Sequence, residues 1–243
     1  MSAFAARLIV MGLCGVLSLA FVPVERLGEP GLSAGALRAL ILVQPLALTL
    51  VAIAVGLWAA PRAGLDAPAV RAWAHGGPIA PILRAQLPAA AIGGALVALV
   101  LILYQAAVAP VFAVAETKVA DLEPPLVTKL LYGGVAEELQ LRWGLMSLLA
   151  LLALRVAGTG NGPMWAANVL TAMAFAAGHL PLLFLLVGEP GLPLLAAVLG
   201  GNFVAGLVFG HLYWRHGLEA AMMAHALAHL LAAGGRHVVL PGG

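Results

Sequence analysis

Residues 132–144 read YGGVAEELQLRWG and set two carboxylates, Glu137 and Glu138, and a guanidinium, Arg142, inside a run that is otherwise apolar. From Leu130 to Leu154 there is no other Asp, Glu, Lys or Arg, and about 20 such residues suffice to cross a bilayer. A charged side chain near the bilayer centre costs at least about 2.5 kcal/mol, so such groups persist only where they are paired or used. The rest of the chain has the same character. Of its 243 residues 63% are hydrophobic and 9% charged, with a mean hydropathy of +1.06, whereas soluble domains carry roughly 25% charged residues. The expected fold class is therefore all-α, a polytopic transmembrane helix bundle in a single membrane-embedded domain spanning residues 1–243. A bacterial inner (plasma) membrane is the expected location.

Stretches free of charge predict seven spans, at about Leu8–Val22, Ala39–Ala60, Leu87–Val114, Leu130–Leu154, Met164–Val187, Leu192–Tyr213 and Leu218–Ala233. Pro181 in GHLP removes a donor and makes an eighth short element possible. Residues 61–84, rich in Pro, Gly and Arg, read as a loop or surface helix, and residues 116–125 as an acidic linker. Six Lys or Arg fall on the amino-terminal side of the membrane and five on the other, which favours a cytoplasmic amino terminus by a narrow margin. A net charge of +2 without a basic stripe excludes nucleic acid as a partner. The single Cys14 permits neither an intrachain disulfide nor a cysteine metal site.

Glu137 and Glu138 lie eight and nine residues into the fourth span, roughly 10–12 Å below the surface where it begins. Glu138 and Arg142 are four apart on one helical face and can pair. Glu137 points about 100° away, with no local counterion, as a general base would. Alternating the direction of successive spans brings His179 (in FAAGH) and His229 (in HALAH) to the layer of the two glutamates, with His225 slightly deeper. His211 and His216 read as packing residues, and His75 and His237 as loop residues. Asn202 reads as an interhelical hydrogen bond, and Gly206 with Gly210 as a close-packing motif.

EELQLR, FAAGH and HALAH together resemble, in order and spacing, the EExxxR, FxxxH and HxxxN-type motifs of the CPBP family, which includes the type II CAAX prenyl proteases and Abi-like membrane proteins. The resemblance covers about residues 130–233 and implies that this stretch is the catalytic core of an intramembrane glutamic endopeptidase. It implies that Glu137 activates water with His179, that His225 and His229 stabilise the oxyanion, and that Glu138 and Arg142 support the site. The expected partners are membrane lipid and a membrane-anchored protein or peptide substrate, cut near its anchored or C-terminal part. His229 departs from the family pattern, in which Asn is commoner.

Three imidazoles and a carboxylate also make a reasonable zinc set, namely Glu137, His179, His225 and His229. Yet HALAH lacks the Glu of HExxH, with Ala226 in its place, so the metal-free carboxylate mechanism ranks ahead and no cofactor is required. Rival classes are a haem protein using His179 and His225 as axial ligands, a proton-relay transporter and a non-catalytic family member.

Overall fold

A computed structural model describes residues 2–24, 33–112 and 124–239 of the chain. Among the described residues the secondary structure is entirely helical. The helices are α1 Ala3–Leu17, α2 Ala34–Ala59, the short α3 Pro68–Ala74, α4 Ala80–Phe112, α5 Leu126–Ala157, α6 Asn161–Gly178, the short α7 Leu180–Val187, α8 Leu192–His216 and α9 Leu218–Val239. Serine hydroxyls start the first two: Ser2 accepts from Ala5 N and Ser33 from Ala36 N, both at 3.2 Å.

Among the described residues six segments are long and apolar enough to cross a membrane, where the sequence predicted seven. The predicted seventh span, Leu218–Ala233, falls on a shorter apolar stretch of helix, Leu218–Gly234. Its backbone helix continues through His237, so that residue does not lie in a loop. The break expected at Pro181 falls at His179, between α6 and α7. The interval 61–84 holds a 3-10 turn, Pro61–Ala63, the surface helix α3, and the start of α4 at Ala80, earlier than predicted. Residues 116–123 of the acidic linker lie outside the described residues. Large apolar side chains point outward along helix faces, as with Ile92, Leu96, Leu99 and Leu103 on α4. That is the surface an integral, multi-pass membrane protein offers to lipid.

Helix ends sort onto two faces. On one, Val70 N donates to Glu219 Oε1 at 2.8 Å, Gln86 Nε2 to the His216 carbonyl at 2.7 Å, and Leu218 N to the Asp66 carbonyl at 3.1 Å. These bonds tie α3, the start of α4 and the α8–α9 turn together. Asp66 also binds Arg71 and raises its pKa further. On the opposite face Thr128 Oγ1 donates to the Ser18 carbonyl at 2.7 Å and Arg38 Nη1 to the Ala20 carbonyl at 3.0 Å.

Between these faces, α5 departs from α-helical geometry. Its residues Lys129–Glu137 and Leu139–Met146 are π-helical, and the turn is closed by Ser147 N on the Arg142 carbonyl, five residues back. A π segment widens the helix and commonly marks a functional site. Small residues let its neighbours close in. A Cβ on Gly56 of α2 would collide with the Trp143 ring and stand 2.5 Å from the Trp143 carbonyl oxygen. Gly206 and Gly210 do form the close-packed seam expected of them, against Ala172 and Asn168 of α6.

Overpacking a tight contact costs about 1–3 kcal/mol. Gly56→Ala is therefore expected to lower the thermal unfolding midpoint in detergent, whereas Gly162→Ala, whose added Cβ meets nothing within 4 Å, leaves it in place.

Candidate active site

The π-helical stretch of α5 presents its two adjacent carboxylates differently. Glu138 is fully buried, and its Oε1 takes two partners: Arg142 Nη1 at 3.1 Å and His225 Nδ1 at 2.7 Å. The predicted Glu138–Arg142 pair is therefore present, and it reaches across to α9. The Arg142 guanidinium also donates from Nη2 to the Gly206 carbonyl at 3.2 Å and lies over the rings of Phe175 (4.9 Å) and Phe209 (5.4 Å). A buried guanidinium needs such a cage, because a bare one would not stay charged in low dielectric.

Glu137 faces the other way. Its side chain keeps 20% of its exposure and its Oε2 stands 3.9 Å from His225 Nε2, beyond hydrogen-bond length. The ring nearest to it thus comes from another helix. Glu137, His179, His225 and His229 all line one cavity of about 610 Å³. The polar side chains Gln44, Tyr132, Gln140 and Asn202 line it as well, among apolar neighbours such as Leu48, Val97 and Leu101. Lining by Leu19, Thr128 and Lys129 places the cavity toward the face where α1 ends and α5 begins.

Ring contacts fix the imidazoles. The His225 ring stacks on Phe209 (4.5 Å between centroids) and on His229 (4.9 Å). His179 meets Phe175 edge-on at 4.9 Å, and its Nδ1 donates to the Phe175 carbonyl at 2.8 Å, leaving Nε2 with the lone pair. By the same reasoning His225, which gives its Nδ1–H to the Glu138 carboxylate, carries its lone pair on Nε2. Gly133 faces these rings: a Cβ there would stand 2.8 Å from His229 Nε2 and 3.3 Å from His225 Nε2.

Backbone and glutamate acceptors on Nδ1 are also how metal-ligating histidines are oriented. Among the described residues, however, no group of three or more His, Cys, Asp and Glu is gathered closely enough to hold a metal ion. The set Glu137, His179, His225 and His229 lines a shared cavity without converging on one point.

Sequence reasoning missed Phe209 and Gly133, which sit in ordinary apolar and small-residue contexts. Phe175 carried a signal, the first position of FxxxH, whose carbonyl lies one helical turn before His179. Asn202 is corrected: its Nδ2 donates to Val198 O of its own helix at 2.8 Å and its side chain lines the cavity, and among the described residues it makes no interhelical bond. His211 stacks on Trp165 at 5.5 Å and does not line the cavity, although Phe209 two residues before it does.

Removing one partner of a buried ion pair costs about 3–5 kcal/mol, while replacing both with apolar groups is close to neutral. Glu138→Ala is expected to lose stability by about that amount in denaturant titration in detergent, and the double variant Glu138→Ala/Arg142→Met to recover much of it.

Residues 122–231 match the model of the family described as type II CAAX prenyl endopeptidase Rce1-like. No curated protein and no solved structure matches the chain. The matched stretch, just under half of the chain, contains every side chain of the constellation, from Glu137 on α5 to His229 on α9, and over it the chain is similar to the Rce1-like type II CAAX prenyl endopeptidases.

Proposed function

We propose that the protein is an intramembrane endopeptidase of glutamic type that hydrolyses a peptide bond near the membrane-anchored or C-terminal part of its substrate. The observation that carries this reading is the meeting, on one cavity within the bundle, of a partly exposed carboxylate with imidazoles from two other helices. Similarity of residues 122–231 to the Rce1-like family supports the broader class, a CAAX-type membrane endopeptidase.

In this reading a water lies between Glu137 and His179. His179 accepts from it through Nε2, since its Nδ1 is committed to the Phe175 carbonyl. Glu137 takes a proton as the water oxygen attacks the scissile carbonyl carbon. The oxygen that becomes negative faces His229 and His225. An N–H on either ring stabilises it by donation, which for His225 requires that Nε2 take up a proton, since its Nδ1–H is given to Glu138. When the C–N bond breaks, the proton on Glu137 passes to the leaving nitrogen, so that water and peptide yield one acid and one amine. Glu138 and Arg142 do not touch the substrate; they position His225. The apolar lining suits a substrate that enters sideways from lipid, and a bacterial plasma membrane is part of the same reading.

The test is a cleavage assay in liposomes on a membrane-tethered peptide. A general base contributes about 10²–10⁴-fold, so Glu137→Gln is expected to lose turnover on that scale and His179→Ala to lose it comparably. Full activity in both removes the proposal. Activity lost to a chelator and restored by zinc replaces it with a metal mechanism. His229→Asn, which keeps an N–H donor at the position, is expected to retain turnover within about tenfold, while His229→Ala loses more.

A further inference from the structure

On the face opposite the cavity, two arginines from different parts of the chain converge on one indole. Arg62 lies in the 3-10 turn that follows α2, and Arg155 in the last turn of α5. Their Cζ atoms stand 5.5 and 5.8 Å from the centre of the Trp58 ring. Both guanidiniums are exposed, and Trp58 is 43% exposed. Arg62 Nη1 donates to the Trp58 carbonyl at 2.5 Å, which fixes that side chain against the end of α2. Among the described residues neither arginine has an ion-pair partner. The nearest carboxylate along the chain, Asp66, is held by Arg71 through Nε at 3.0 Å and through Nη2.

We infer that Arg62, Arg155 and Trp58 form a binding site for the phosphodiester of an anionic phospholipid. Two like charges, each within 6 Å of one ring centre, favour an anion that neutralises both. A guanidinium fork matches phosphate oxygens in a bidentate way. Both arginines sit where membrane-crossing segments end, Gly35–Ala59 and Leu126–Ala157, which is headgroup depth, and an indole with one apolar and one polar edge favours the same layer. The surroundings are complementary to an anionic leaflet. On this face the described residues Arg7, Arg62, Arg71, Arg84, Arg155 and Arg215 stand against Asp66 and Glu219, so six positive and two negative charges leave four net positive. Arg7 also lies over Trp73 at 4.5 Å and Arg215 over Trp214 at 5.3 Å, continuing the belt.

The site is independent of the proposed chemistry and is tested without a protease substrate. Purified protein in detergent is titrated with phosphatidylglycerol, phosphatidylcholine or inorganic phosphate while its thermal unfolding midpoint is followed, and retained lipid is counted by native mass spectrometry. Phosphatidylglycerol is expected to raise the midpoint and to be retained. At about 1 kcal/mol for each basic residue at an anionic surface, Arg62→Gln/Arg155→Gln is expected to weaken its apparent affinity roughly thirtyfold. Arg84→Gln, which removes one exposed charge of the same face away from Trp58, weakens it by no more than about fivefold. Any of three outcomes overturns the inference: phosphatidylcholine protects equally, Arg84→Gln loses as much as the double variant, or inorganic phosphate reproduces the full protection.

Discussion

One carboxylate oxygen, Glu138 Oε1, receives a guanidinium from its own helix and an imidazole from α9 in a space closed to solvent. In low dielectric such an acceptor cannot be left half-satisfied, because each orphaned charge costs several kcal/mol. The arrangement therefore fixes three things at once. It keeps Arg142 charged, sets the register of α9 against α5, and commits one nitrogen of His225 so that the other is turned toward Glu137.

The rest of the site depends on that lock. With His225 pinned, the stacking of Phe209 on one side and His229 on the other defines where the second imidazole of HALAH must lie. Gly133 supplies the space that both rings need. The widened backbone of α5 brings Glu137 and Glu138 onto different surroundings although they are adjacent in sequence, one toward the cavity and one into the core. Adjacent like charges would otherwise compete for one environment. Division of labour between them follows from the wall each faces.

The molecule is also polarised across the membrane. The cavity lies toward the face where α1 ends and α5 begins, while Arg7, Arg62 and Arg71, each over an aromatic ring, cluster at the other. Bonds among Val70, Gln86, Glu219 and the α8–α9 turn hold that second face together. The bundle is thus stitched by polar contacts at one end and opened by polar groups near the other, with apolar packing between.

Much of this was legible in the residues. Alternating spans at 1.5 Å per residue placed the two glutamates, His179 and His229 in one layer, and the i, i+4 spacing foretold the Glu138–Arg142 pair. Hydropathy predicted seven membrane-crossing segments, and among the described residues six meet the length and apolarity needed, with Leu218–Gly234 a shorter apolar stretch. Asn202 was misread because an amide in a span can satisfy its donor on its own helix, four residues back, and composition carries no sign of which bond forms. Sequence alone settled the solvent of the fold and the chemistry of its buried groups, because hydropathy and side-chain type are properties of each residue. Which histidine nitrogen meets which carboxylate, the widening of α5, and the gathering of Phe209, Gly133 and Asn202 around the cavity were decided only by the tertiary structure, because they are distances between helices far apart in the chain.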